Sequence, residues 1–186
     1  MATSVIILIL IGAGLVLYAV WLVWTSAHGA PYVAIEMDVV ERALEMARFG
    51  EDDAVYDLGS GDGRIPIMAA LQHKAQAVGV ELDFLRYLYS VLRVQMLRLG
   101  NQVRFLHQNI FETDLSEATV ITMYLLQATN ERLMKKFVAE LRPGTRIVSA
   151  ALTFPGWKPT IVDGEYSTPY GPLYLYEIGV SNLKNP

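Results

Sequence analysis

This sequence predicts an α/β fold: a doubly wound, mostly parallel sheet of seven strands with an antiparallel terminal strand, preceded by one N-terminal transmembrane helix. Three observations support it. Short apolar segments alternate with helix-patterned ones from Ala54 to Thr153, the order expected of a mostly parallel sheet with helices on both faces. A turn with glycines at 59, 61 and 63 follows the first apolar segment directly. The first 35 residues hold no Asp, Glu, Lys or Arg.

Taken in order, "EMDVVERALEMARFG" sets Val39, Val40, Ala43, Leu44 and Ala47 at helical spacing and stops at Gly50. Ala54–Leu58 is an apolar strand, and Arg64–His73 a helix. Residues 75–82 form a second strand, followed by a long helix from about Asp83 to Leu99 that Gly100 and Asn101 stop. "QVRFLHQN" alternates as a third strand, and residues 118–126, "ATVITMYLL", are a buried fourth. Thr129–Leu141 is a helix ended by Pro143 and Gly144, and "TRIVSAALT" is a fifth strand. Pro159–Val162 and Leu173–Val180 are two more strands with no helix between them, which suggests an antiparallel pair closing the sheet.

The N-terminal run Val5–Trp24 has 20 residues and no polar side chain beyond one Tyr. As a helix it would span ~30 Å, about one bilayer core. A cleaved signal peptide is the competing reading, but no Lys or Arg precedes the run and it is longer than a usual signal core. Tyr18, Trp21 and Trp24 sit where interfacial anchors belong. The expectation is a single-pass anchor and linker over residues 1–30, followed by a globular domain over 31–186. Arg42 and Arg48 follow the run and place that domain on the cytoplasmic side. Thr25–Pro31 reaches at most about 25 Å, which would keep the domain beside the membrane.

With 186 residues the chain suits one domain plus a small appendage. It has no Cys, which excludes disulfides and thiolate metal sites. His28, His73 and His107 lack ligand spacing, so no metal site is expected. A net charge of −4 argues against a nucleic-acid partner held by phosphate neutralisation.

The turn in "VYDLGSGDGR" poses the question of ligand. No Lys-Ser or Lys-Thr follows it, so it is not a phosphate-binding loop of the nucleotide-hydrolase kind. Asp57 stands at the strand end just ahead of it, where a carboxylate would repel a pyrophosphate. Glu81 closes the second strand 20 residues after Gly61, where an acid can accept from both ribose hydroxyls. A ribose, a positive charge and no phosphate describe S-adenosylmethionine.

On these residues, "YDLGSGDGR" followed by "VGVELD", the chain resembles the seven-strand, Rossmann-like (class I) methyltransferases. With "PYV", "GTRIVS" and "FPGWKP" it resembles more narrowly the archaeal broad-specificity and mitochondrial membrane-anchored protein-lysine methyltransferases. The mitochondrial members act on the adenine nucleotide translocase and on the membrane-ring protein of ATP synthase. The resemblance covers residues 31–160. It implies that Asp57, Gly59 and Gly61 line the methionine end of the cofactor, that Glu81 holds the ribose and that Leu82 packs near the adenine. Asn109 stands where relatives carry an acid at the adenine edge, and could contact the amine through its carbonyl oxygen only. For Asp62 a cofactor contact and a helix cap remain open.

The resemblance places the acceptor near Tyr124, and Tyr32, Tyr124 and Trp157 are the candidates for an aromatic wall around the amine. Simple packing is the alternative for each. Arg86, Arg93 and Arg98 read as a solvated helix face. The expected substrate is a protein lysine, on a membrane protein or a partner held there. A small-molecule or lipid methyltransferase and a non-catalytic membrane-tethered binding module are the rival readings.

Overall fold

The fold was obtained as a computed structural model and is described for residues 2–28, 33–169 and 171–183. The chain divides into two units, the first ending at Val33 and the second beginning at Ala34.

The first unit contains helix α1 (Ala2–His28). Its described side chains, Ser4–Val16 and Val20, are exposed. Among the described residues no helix is long and apolar enough to cross a membrane. This corrects the expected transmembrane anchor and, with it, the single-pass placement that put the catalytic domain in the cytoplasm.

The second unit carries α2 (Met37–Met46), β1 (Ala54–Leu58), α3 (Arg64–His73), β2 (Gln76–Glu81), α4 (Phe84–Met96), β3 (Val103–His107), β4 (Val120–Met123), α5 (Gln127–Glu140), β5 (Arg146–Ala150), β6 (Ile161–Thr168) and β7 (Gly171–Glu177). The seven strands form one sheet in the order β3-β2-β1-β4-β5-β7-β6. The first five are parallel, and β7 runs antiparallel to both β5 and β6. The Rossmann-like sheet expected from the sequence is present. The chain steps outward from β1 to β2 and β3, then returns to β4 on the other side of β1. That reversal opens a crevice at the carboxyl ends of β1 and β4.

Alternation along the strands sorts the core into two layers. Val55, Ala77, Val103, Val120 and Val148 pack toward α2, α3 and α4. Tyr56, Val78, Ile121 and Ile147 face the opposite way, against Leu133 and Phe137 of α5. Asp57, two positions after Val55, therefore points to the α2–α3–α4 side.

Gly79 shows how closely that side is packed. A Cβ built there would lie 2.2 Å from Cε1 of Phe105 and 2.8 Å from Oγ of Ser60. Gly79→Ala should push Phe105 and the glycine turn apart and cost about 1–3 kcal/mol of stability, read by urea denaturation. An unchanged midpoint would mean that the contact relaxes freely.

Several boundaries differ from expectation. β4 stops at Met123 rather than running to Leu126, since Leu126 already caps α5 with extended backbone. β6 is longer than the expected Pro159–Val162, running to Thr168. It is an edge strand paired only with β7, so it needs no apolar alternation to hold its place. On α4 the outward face carries exposed Leu85, Leu88, Leu92 and Met96, while Arg93 turns inward to Asp62. The solvated arginine face expected there is corrected for Arg93; Arg86 is half-buried and Arg98, past the helix end, is exposed.

Candidate active site

The strand-to-helix turn after β1 lies at the switch-point crevice. Gly59, Gly61 and Gly63 all have positive φ, at 80°, 56° and 76°. Such backbone suits glycine, because a Cβ in the left-handed region is disfavoured. At Gly59 space decides as well, since a Cβ would come within 2.8 Å of Cδ2 of Leu125. The turn is tied to β2 by the Gly59 and Ser60 amides, which donate to the Val80 carbonyl at 2.9 and 3.0 Å. Ser60 Oγ is buried with no hydrogen-bond partner among the described residues.

Asp57, at the carboxyl end of β1, is 3% exposed. The Thr122 hydroxyl donates to its Oδ1 at 2.7 Å. Burial pushes its carboxyl from an ordinary 3.8 up to about 7; the Thr122 hydrogen bond opposes the rise, and the charges of Glu81 and Asp62 add to it. An acid so placed welcomes a cation. Among the described residues no cation acts on it, and an ammonium group would supply one.

Glu81 ends β2 and is also buried. Its Oε2 accepts from the Gly61 amide and its Oε1 from the Asp83 amide, both at 2.8 Å. Burial raises its pKa above the ordinary carboxylate value, against the opposing pull of those two amides and of Arg86. Each carboxylate oxygen keeps a second lone pair, so ribose hydroxyls can still donate to it. One side chain thus braces the glycine turn and remains able to accept from a sugar.

Asp62 is engaged from two helices. Arg64 grips it with Nε on Oδ1 at 2.9 Å and its terminal nitrogen on Oδ2 at 2.8 Å. Arg93 approaches Oδ2 to 3.4 Å and donates to the Asp62 carbonyl at 2.7 Å. Burial alone would raise the Asp62 pKa, but the Arg64 hydrogen bonds and the two guanidinium charges hold it below the ordinary value.

Leu82 is half-buried, and its carbonyl lies 3.0 Å from Nε2 of His107. The His107 ring packs 5.5 Å from Phe84 and 5.4 Å from Tyr87, beside the place expected for adenine. Asn109 folds into a local turn: its Oδ1 accepts from the Phe111 amide at 3.1 Å. The oxygen expected to meet the adenine amine is therefore already in use once.

Of the aromatic candidates, Tyr124 follows β4 and packs against the α2–α3 core layer. Trp157 belongs to the other layer, its ring tilted 5.1 Å from Phe154 and edge-on 6.3 Å from Tyr176. Tyr32 lies outside the described residues. The structure thus brings Asp57, Gly59, Gly61, Asp62 and Glu81 together, and sets Tyr124 and Trp157 in different layers.

Sequence reasoning missed Thr122, Arg64 and Arg93. A lone hydroxyl near the end of an apolar strand was a usable signal for Thr122. Arg64 stands directly after the glycine turn. Nothing local marked Arg93, which is 31 positions from Asp62.

A family model described as the ANTKMT methyltransferase domain matches residues 57–161. The chain is similar to a protein-lysine N-methyltransferase of Saccharolobus islandicus, 42% identical over 151 residues, covering 80% of this chain and 94% of that one. It is 30% identical over 164 residues to the adenine nucleotide translocase lysine N-methyltransferase of Mus musculus, covering 83% of this chain and 70% of the relative. Among solved structures it is similar to an RNA methyltransferase from Salinibacter ruber in complex with S-adenosyl-L-homocysteine, at a TM-score of 0.76 and 35% identity, covering 83% and 100% of the two chains. The groups found here fit such a nucleoside: buried acids at two strand tips, a turn of three positive-φ glycines between them, and a buried Ser60 hydroxyl with no hydrogen-bond partner among the described residues. The matched span takes in the glycine turn, Glu81 and every parallel strand after β1, and on that ground the chain belongs to the ANTKMT methyltransferase domain family of class I S-adenosylmethionine-dependent methyltransferases.

Proposed function

We propose that this protein is a protein-lysine N-methyltransferase, moving the methyl group of S-adenosylmethionine to a lysine ε-amine. The observation that carries the reading is the 42% identity to a protein-lysine N-methyltransferase across almost all of that relative's length. The 30% identical lysine N-methyltransferase of Mus musculus supports the same acceptor chemistry.

The cofactor brings a methyl group already attached to a good leaving group, so the protein's task is binding and alignment. In this reading Asp57 faces the methionine ammonium, with Thr122 fixing its rotamer. Gly59 and Gly61 let backbone approach the methionine end. Glu81 accepts from the ribose, Leu82 packs near the adenine, and Asn109 offers its remaining lone pair to the adenine amine. Asp62 holds the turn through Arg64 and Arg93. Tyr124 borders the acceptor, with Tyr32 and Trp157 as further aromatic candidates. A lysine must reach this place without its proton, and partial desolvation beside apolar Met123 and Leu125 lowers its pKa in the needed direction.

One observation favours a second reading: the 35% identical Salinibacter ruber protein is described as an RNA methyltransferase. The two readings separate in one experiment. The protein is incubated with tritiated S-adenosylmethionine and a cell extract, and the product is treated with protease or with ribonuclease. Label released by protease alone and recovered as methyl-lysine after acid hydrolysis is the expected result. Label released by ribonuclease would replace the lysine assignment with an RNA acceptor, and label extracted into organic solvent would point to a lipid.

A further inference from the structure

Arg64 does more than grip Asp62. While Nε and one terminal nitrogen hold that carboxylate, the other terminal nitrogen donates to the Ile35 carbonyl at 2.5 Å. One planar fork therefore joins the glycine turn to the segment ahead of α2. Arg93 braces the same carboxylate from α4, so the anchor of the fork is held from two helices. Ile35 in turn lines a small apolar recess together with Val39 and Val40 of α2, Ile65 of α3 and Thr122 of β4. Thr122 is the residue whose hydroxyl holds Asp57.

We propose that Arg64 is a positioning residue: by pinning the Ile35 carbonyl to the glycine turn it seats Ile35 beside the Asp57–Thr122 pair and shuts water out of the methionine end of the cofactor site. The inference rests on assigning Asp57 to that end. It gives Arg64 a role that lysine could not fill, because an ammonium cannot span a carboxylate and a carbonyl with a rigid fork. The charged groups acting on Asp57 are Glu81 from β2 and Asp62 from the turn, both negative. Both charges raise the Asp57 carboxyl, and burial raises it most, so thinning the apolar cover should lower it part of the way.

The test uses the full chain with Arg64→Lys and Ile35→Ala. Each protein is titrated with S-adenosylhomocysteine from about pH 5.5 to 8.5, and proton release is followed in two buffers. Separately, cleavage after Glu36 by a glutamate-specific protease is timed. Arg64→Lys should accelerate that cleavage by about tenfold or more, the effect of losing one charge-assisted hydrogen bond, and should move the binding midpoint from near pH 7 toward acid. Ile35→Ala should move the midpoint in the same way with less effect on cleavage. A purely structural Arg64 would lower thermal stability and affinity together at every pH with the midpoint unmoved, and that result would overturn the inference. A wild-type chain binding no S-adenosylhomocysteine at any pH would overturn the site assignment beneath it, and the cleavage rates would still report whether Arg64 holds the segment.

Discussion

Asp57→Asn should make the ligand-free protein more stable at pH 8 while crippling cofactor binding. In the folded protein burial raises the Asp57 carboxyl from 3.8 to about 7. A group whose folded pKa is raised contributes stability that is fully present below its unfolded pKa and is lost as pH rises through the folded one. The window here runs from about pH 4 to 7, and the loss is at most about 4 kcal/mol at 1.36 kcal/mol per pH unit. Glu81, whose pKa is also raised, acts in the same direction. Asp62 is lowered; its contribution is lost only as pH falls through its depressed value, below this window. The unliganded wild type should therefore unfold more easily at pH 8 than at pH 5, as far as these acids decide. An asparagine keeps an oxygen for the Thr122 hydroxyl and removes the buried charge, so the variant should gain most at pH 8, only about 1–2 kcal/mol at pH 5, and nothing below about pH 4. The same change deletes the carboxylate proposed to meet the methionine ammonium and should weaken cofactor binding roughly 10–100-fold, the worth of a hydrogen bond to a charged group. Thermal unfolding at two pH values and calorimetry suffice. Equal destabilisation at both pH values would mean that Asp57 is ionised and structurally engaged without ligand.

The second large effect is expected at Glu81. Both its oxygens already accept backbone amides, from Gly61 and Asp83. Glu81→Ala removes the acceptors proposed for the ribose and leaves the Gly61 and Asp83 amides short of a partner, so two costs combine. Two hydrogen bonds to a charged acceptor are worth about 1.5–3 kcal/mol each, which predicts a 10²- to 10⁴-fold loss of affinity. Stability should fall as well, because an unpaired buried donor carries a penalty of about 1–3 kcal/mol. Glu81→Gln is the informative partner. Its amide oxygen can serve one backbone donor, but its NH₂ must face the other, so it should bind the cofactor weakly while folding better than the alanine variant. Wild-type affinity in Glu81→Ala would remove the ribose assignment altogether.

Much of this site was legible in the chain because its parts are local. Asp57, the glycines and Arg64 fall within eight consecutive positions, and a strand that ends in a carboxylate followed by positive-φ residues has few ways to fold. Helix Arg64–His73 has the bounds expected of it. The fourth strand was less readable. Its apolar run continues through Tyr124–Leu126 after pairing has ended, because Leu125 leaves the sheet to pack over Gly59. An apolar residue covering a turn looks, in sequence, like one more residue of a buried strand. Edge strand β6 had the opposite problem: its polar middle, Asp163 and Glu165 around Gly164, carries no buried-strand signal. The apolar N-terminal run shows the limit of composition, since among the described residues no helix meets the length and apolarity of a membrane span.

The sequence by itself determined the alternation of elements, the glycine turn and the two acids at neighbouring strand ends, because each follows from periodicity or from what a few adjacent residues can do. Only the tertiary structure decided which groups those acids meet. Thr122 reaches Asp57 across 65 positions, and Arg93 reaches Asp62 across 31. Such pairs are made by strand order and helix packing, which bring distant residues into contact and so leave no periodic trace in the chain.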